Sequence, residues 1–276
     1  MSLQIASIAS GSNGNCYYVG NDTEAVLIDA GISCRETEAR AARMGLDLKK
    51  VKAVFISHEH TDHIMGVSAL AKKYELPVYI TPRTLGRCRV FLKPQYIVAF
   101  YPHQTITVGQ LRVTPFPKLH DGCDPHSFTV TEGDTTIGVL TDIGEPCEHV
   151  VHYFNTCHAA FLESNYDDVM LEQGRYPVHL KRRISGSHGH LSNKQALELF
   201  LAHGSHMSHI LLSHLSRDNN HPDLARDLFL KQAGRTQIVI AGRYKETDIY
   251  EVSGNGPALK AAPTNRLSVP AQLALF

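Results

Sequence analysis

The run His58-Glu59-His60-Thr61-Asp62-His63, directly behind the apolar stretch 51–57, constrains this chain more than any other feature. A buried strand that ends in three imidazoles and a carboxylate delivers several ligands to one point. Neutral imidazole suits zinc, manganese or iron, and a carboxylate joins as a harder ligand. His58 and His60, two apart in an extended loop, both turn inward. Asp62 and His63, at the start of the next helix, point to a neighbouring position, and that spacing suits two metals side by side. A plain strand-to-helix loop with Asp62 near a helix N-terminus explains one carboxylate and leaves three histidines without a purpose.

With 276 residues, the chain has room for one large α/β domain or two small ones. Its 43% hydrophobic and 20% charged content is that of an ordinary globular protein. No apolar run approaches a membrane span, and the start Met1-Ser2-Leu3-Gln4 lacks the regions of a signal peptide, so a cytoplasmic protein is expected. The six cysteines form no C-x-x-C pair and read as buried thiols in a reducing compartment. Basic and acidic residues balance at 27 each, so no global positive field announces nucleic acid. Any polyanion contact must come from local patches, of which residues 83–93, Lys181-Arg182-Arg183 and Arg217 are the candidates.

Periodicity predicts a strand over 3–9, a tight polar loop at 10–15, a hairpin of 16–19 with 24–28, and helices over 34–44 and 62–74. Residues 97–140 are β-rich. Beyond Glu145, helices interleave with strands at 159–163, 209–213 and 237–241. Strands followed by helices, twice over, predict an α/β fold of two mixed sheets packed face to face, with helices outside. The domain spans 1–252. From 253 to 276 Gly254, Gly256, Pro257, Pro263 and Pro270 mark a linker and tail.

A two-metal site needs further ligands, best placed at strand ends where rigid backbone aims them. His120, Asp142 and His214 each follow such an end. With Leu27-Ile28-Asp29-Ala30-Gly31 and the 58–63 cluster, these residues resemble the ordered ligand motifs of the metallo-β-lactamase superfamily. The resemblance implies that superfamily's αββα sandwich. It implies one metal on His58, His60 and His120, a second on Asp62, His63 and His214, and Asp142 as the bridge. Asp29 would orient the histidines. Across roughly residues 3–240 the chain also resembles the YycJ branch (also WalJ or VicX), on Ser10-Gly11-Ser12-Asn13-Gly14-Asn15, Leu162-Glu163-Ser164-Asn165, Gly189-His190-Leu191-Ser192-Asn193 and Ser213–Asn220. That branch implies a bacterial cytoplasmic DNA exonuclease.

Two divalent ions (Zn, Mn or Fe) roughly 3.5–4 Å apart activate a hydroxide and suit phosphodiester, amide or thioester hydrolysis alike. The choice lies with other residues. Glu163 ends a buried strand, and His190 precedes a helix start marked by Ser192 and Gln195 as a capping box. The two resemble the glutamate–histidine pair of tRNase Z-type phosphodiesterases, in which the histidine serves the leaving oxygen. Asp62 would handle protons as well as bind metal. The last five residues, Gln272-Leu273-Ala274-Leu275-Phe276, resemble the bacterial sliding-clamp binding pentapeptide, with alanine at its third position. A clamp on such a tether raises the local concentration of enzyme on DNA and compensates for the missing basic charge. The expected function is a DNA nuclease in repair or replication-linked processing, with DNA and the clamp as partners. The alternatives are a small-molecule hydrolase of thioesters or cyclic phosphates, and a signalling-associated protein with a mainly structural metal.

Overall fold

The computed structural model describes residues 2–254. Strands β1 (Ser2–Ala9), β2 (Cys16–Gly20), β3 (Ala25–Ile28), β4 (Val51–Phe55), β5 (Val78–Ile80) and β6 (Ile97–Ala99) form one sheet in that order. The second sheet runs in order from β7 (Ile106–Val108) through β8 (Leu111–Pro117), β9 (His126–Glu132), β10 (Thr135–Leu140), β11 (Ala159–Glu163) and β12 (His209–Ser213) to β13 (Gln237–Ile240). The chain then returns, and β14 (Tyr250–Ser253) pairs antiparallel with β1 to complete the first sheet. The last strand thus ends one residue beyond the boundary expected at 252. The proposed clamp pentapeptide lies outside the described residues.

Alternation along each strand divides the interior into separate cores. In β1, Leu3 and Ile5 face the space between the sheets, where they meet Tyr17, Val26, Phe55, Phe128, Phe161 and Leu211. Ala6 and Ile8 face the other way and pack under the helices α1 (Cys34–Met44), α2 (Thr61–Ile64) and α3 (Val67–Tyr74). The outer face of the second sheet is covered in the same manner. Leu140, Leu162 and Leu212 pack against Val150, Phe154, Ala196, Phe200, Ala225 and Phe229. Those residues come from α5 (Glu148–Phe154), α8 (Asn193–His203) and α9 (Pro222–Leu230); α4 (Pro82–Leu85), α6 (Asp168–Gln173) and α7 (Val178–Ile184) complete the set. Helix, sheet, sheet, helix is the expected αββα sandwich. The ring of Tyr17 meets that of Phe161 across the two sheets at 4.9 Å between centroids. Burying each such aromatic side chain stabilises the fold by roughly 2–3 kcal/mol.

Strands β3 to β6 run parallel, as do β10 to β13. Their carboxyl ends therefore gather at one edge of each sheet, the usual place for a site in α/β proteins. Two expected elements differ. The strand at 51–57 stops at Phe55, releasing Ser57 and His58 into a loop. The helix expected over 62–74 breaks at Met65-Gly66. The break follows from a close approach: a Cβ at Gly66 would stand 1.9 Å from the Ile32 carbonyl oxygen, and the Gly66 amide donates to the Ala30 carbonyl. No helix among the described residues is long and apolar enough to cross a membrane.

Candidate metal centre

Three strand ends turn into the site through the same backbone device. Asp29 after β3, Asp142 after β10 and His214 after β12 have φ of 63°, 55° and 55°, the left-handed region that non-glycine residues avoid. Such a conformation costs on the order of 1 kcal/mol or more, and persists where surrounding structure enforces it. Here the turn swings each side chain off its sheet face and towards the cleft.

The loop 29–31 grips the histidine-rich loop by its backbone. Ala30 donates its amide to the His63 carbonyl, and Asn15 donates to the Asp62 carbonyl. Gly31 must be glycine, because a Cβ there would lie 1.6 Å from the Asp62 carbonyl oxygen. Buried Asp29 does the rest. Its Oδ1 accepts from the Ser57 amide at 2.8 Å, and its Oδ2 accepts from Ser57 Oγ at 2.8 Å and His63 Nδ1 at 2.6 Å. The orienting role expected of Asp29 thus has a geometric basis.

Most of the histidines at the site are held by Nδ1, which leaves Nε2 for the cleft. His63 Nδ1 binds Asp29, His58 Nδ1 lies 2.9 Å from Ser57 Oγ, and His120 Nδ1 donates to the Gly189 carbonyl at 2.9 Å. His214 Nδ1 donates to Glu163 Oε1 at 3.0 Å. Acceptors behind ligand histidines fix tautomer and ring orientation. The result is two compact triads, His58–His60–His120 and Asp62–His63–His214, with the offered ligand atoms of each within 4.8 Å of one another. Asp142 touches both. Its Oδ2 lies 3.3 Å from His63 Nε2, and its Oδ1 lies 3.7 Å from His120 Nε2 and 3.4 Å from His214 Nδ1.

The donor set fits divalent cations, and unpartnered atoms supply the test. His120 Nε2, His214 Nε2 and Asp142 Oδ2 are buried without a hydrogen-bond partner. Leaving such groups unsatisfied costs roughly 1–3 kcal/mol each, a cost that coordination to a cation removes. Imidazole and carboxylate together suit zinc, manganese or iron rather than calcium or magnesium.

The two triads differ in charge. Burial, together with neighbouring His63 and Lys118, holds His58 well below the usual imidazole range. Burial brings His120 down to about 3. His63 and His214 are also buried, but carboxylates overcome that burial. Asp142, Asp29 and Asp62 raise His63 well above its ordinary value; Asp142, Asp62 and Glu163 raise His214 to about 10. Burial pushes the Asp142 carboxyl up, yet His214 and His63 hold it well below the carboxylate range.

Glu163 and His190 meet as expected, with His190 Nδ1 donating to Glu163 Oε1 at 2.8 Å. Ser192 and Gln195 form both halves of the capping box at the start of α8, which fixes the backbone two residues beyond His190. Glu163 does more than the sequence indicated. It is fully buried, it holds ligand-side His214 through the same oxygen, and its Oε2 accepts from the Ile143 and Leu191 amides at 2.6 and 3.2 Å. Burial raises its carboxyl, but His190 and His214 bring it down to about 2.

Other residues reach the site in roles that the sequence did not assign. Asn15 Nδ2 donates to Asp62 Oδ2 at 3.2 Å and lies 3.1 Å from His63 Nε2; its Oδ1 accepts from buried Tyr17 Oη. Asn165 Nδ2 donates to the His214 carbonyl at 2.8 Å. Asp121 approaches His120 Nε2 at 3.3 Å and His60 Nε2 at 3.5 Å, clamped from behind by Arg183. Lys118 is buried beside Asp142 and donates to the Thr141 carbonyl at 2.7 Å. Arg217 stands exposed beyond His214.

A family model described as the Metallo-beta-lactamase superfamily matches residues 9–201. The chain is 35% identical over 230 residues to exodeoxyribonuclease YycJ of Bacillus anthracis, covering 82% of this chain and 87% of that protein. It is 30% identical over 256 residues to exodeoxyribonuclease WalJ of Streptococcus pneumoniae, covering 89% and 93%. Among solved structures, the metallo-beta-lactamase fold protein YhfI from Bacillus subtilis superposes with a TM-score of 0.68 at 17% identity, over 91% of this chain and all of that one.

Proposed function

This chain belongs to the metallo-beta-lactamase superfamily, and from that premise we propose that it is a metal-dependent DNA exonuclease acting in repair or replication-linked processing. The observation that carries the reading is one constellation: two ligand triads that share Asp142 and open onto His190, whose ring stands on Glu163. The relatives named as exodeoxyribonucleases, matched over most of both chains, support DNA as the substrate.

His58, His60 and His120 would hold one ion, Asp62, His63 and His214 the other, with Asp142 shared. When bound, divalent ions at such a centre supply Lewis acidity to a phosphoryl oxygen and lower the pKa of water. The protein's own groups do the positioning and the proton work. Asp62, the one carboxylate within the triads and more exposed than the shared Asp142, would assist proton handling as well as hold metal. Glu163 fixes His190 through Nδ1, so a proton for the departing oxygen is carried on Nε2. Because Glu163 is fully buried and also holds His214, it acts as a positioning residue for both. The tail Gln272–Phe276 would recruit the sliding clamp.

The test uses the full chain with Mn²⁺ or Zn²⁺, end-labelled duplex and single-stranded DNA, and a thioester control. Shortening of DNA from its ends is the expected result. Turnover of the thioester without DNA cleavage overturns the reading. Deleting Gln272 to Phe276 should abolish co-elution with a bacterial sliding clamp, and unchanged co-elution removes that partner.

A further inference from the structure

The segment between α4 and β6 has a pattern that the metal centre does not use. From residue 87 to 93 it alternates strictly. Cys88, Val90 and Leu92 pack onto the outer core of the first sheet, while Arg87, Arg89, Phe91 and Lys93 face solvent. Phe91 is 76% exposed, the most exposed large apolar side chain among the described residues. Its backbone is pinned all the same, since Ser68 Oγ on α3 donates to the Phe91 carbonyl at 2.6 Å. None of Arg87, Arg89 and Lys93 has a carboxylate within ion-pair distance among the described residues.

The strip lies beside the metal centre. Thr84 Oγ1, on the helix that leads into it, donates to the Asp124 carbonyl. One residue earlier, the Cys123 amide donates to Oε1 of Glu59, which sits between His58 and His60. Within the strip, burial and the charge of Glu59 push the Cys88 thiol up to about 11.

We infer that Arg87, Arg89, Phe91 and Lys93 form a platform for the unpaired strand of a DNA substrate, with a base stacked on Phe91 and backbone phosphates on the three cations. An exposed aromatic ring in a row of unpaired cations matches the two requirements of single-strand binding, a π-face for a base and positive charge along the backbone. A solvated basic face needs no phenylalanine, and an apolar protein partner needs no row of unpaired charge. The strip also supplies locally the positive charge that the balanced composition denies the molecule as a whole.

The inference rests on the nuclease reading, and the experiment separates the two. Binding of the full chain with Mn²⁺ to labelled phosphorothioate oligonucleotides, single-stranded and blunt duplex, is followed by fluorescence anisotropy over a salt series, beside cleavage of ordinary DNA. Phe91→Ala should weaken single-strand binding about tenfold and leave blunt-duplex binding within about twofold. Replacing Arg87, Arg89 and Lys93 together by alanine should flatten the slope of log affinity against log salt by about 2, from roughly 0.7 per phosphate contact on a single strand. Lys231→Ala with Arg235→Ala, exposed cations at the opposite end of the second sheet, is the control and should change neither. DNA cleavage by the wild type with unchanged binding by the strip variants overturns the platform and leaves the nuclease intact. Equal losses from the control pair reduce it to bulk charge and overturn it too. A wild type that neither binds nor cleaves DNA removes both readings.

Discussion

The His58–His60–His120 triad and the Asp62–His63–His214 triad share Asp142 but are built from opposite electrostatics. Behind the first stand a serine hydroxyl and a backbone carbonyl, and burial keeps its imidazoles neutral. Behind the second stand Asp29 and Glu163, and carboxylates keep its imidazoles charged until a cation displaces their protons. A pair of half-sites of this kind teaches that similar ligands can be preorganised in two ways. One is a set of neutral imidazoles ready to accept a cation; the other is a set of imidazoles backed by carboxylates that stores protons in the cation's place.

The comparison can be broken most severely at the residue both halves share. Asp142→Ala should lower DNA cleavage by at least about a thousandfold, roughly 4 kcal/mol in the barrier, and reduce the metal content read by mass spectrometry at both triads. His190→Ala acts on neither triad's ligands. It should cost roughly 10²- to 10⁴-fold in kcat with metal content unchanged, and a loss of metal would show that His190 is a ligand instead. Asp29→Asn sharpens the difference, because Asp29 supports only the second triad's histidine directly. It should weaken metal binding there by roughly 10- to 100-fold, seen as a single weakened phase in calorimetric titration.

A smaller effect is one of pH. His214 titrates at about 10 in the folded protein without metal, and His63 also lies well above its ordinary value, so both carry protons at neutral pH. A cation entering the second triad must release those protons, and its affinity should fall as pH falls from 9 to 7, by about tenfold per unit per proton displaced. His120, at about 3, is already neutral across that window, so affinity at the first triad should stay flat. Titrations in two buffers of different ionisation enthalpy would measure the protons released, and equal release from both phases would refute the contrast.

The loop and the strand ends that build both triads were unequally legible in the sequence. Four of the proposed ligands sit in one loop behind one strand, so spacing alone placed His58, His60, Asp62 and His63 together. Asp142 and His214 were recognisable only as strand ends, and nothing local announced that φ near 55° aims them inward. Asn15 and Asn165 stood in motifs that carried the resemblance, yet their roles, like those of Ser57, Asp121 and Lys118, were not legible, because each depends on a contact made by tertiary folding. Asn15 reaches Asp62 across 47 positions, and Asn165 reaches His214 across 49. The helix break at Gly66 was hidden for the same reason: its cause is the passing backbone at Ala30 and Ile32, on another element. The layered architecture was easier to read, since strand alternation and helix amphipathicity repeat over many residues.

The central claim is that Asp142 joins two unequal half-sites into one centre. Anomalous diffraction from crystals grown with Mn²⁺ near pH 8 tests it most directly. The account predicts two peaks, one among His58, His60 and His120 and the other among Asp62, His63 and His214, both in contact with Asp142. A single peak, or a pair that Asp142 does not touch, would contradict it.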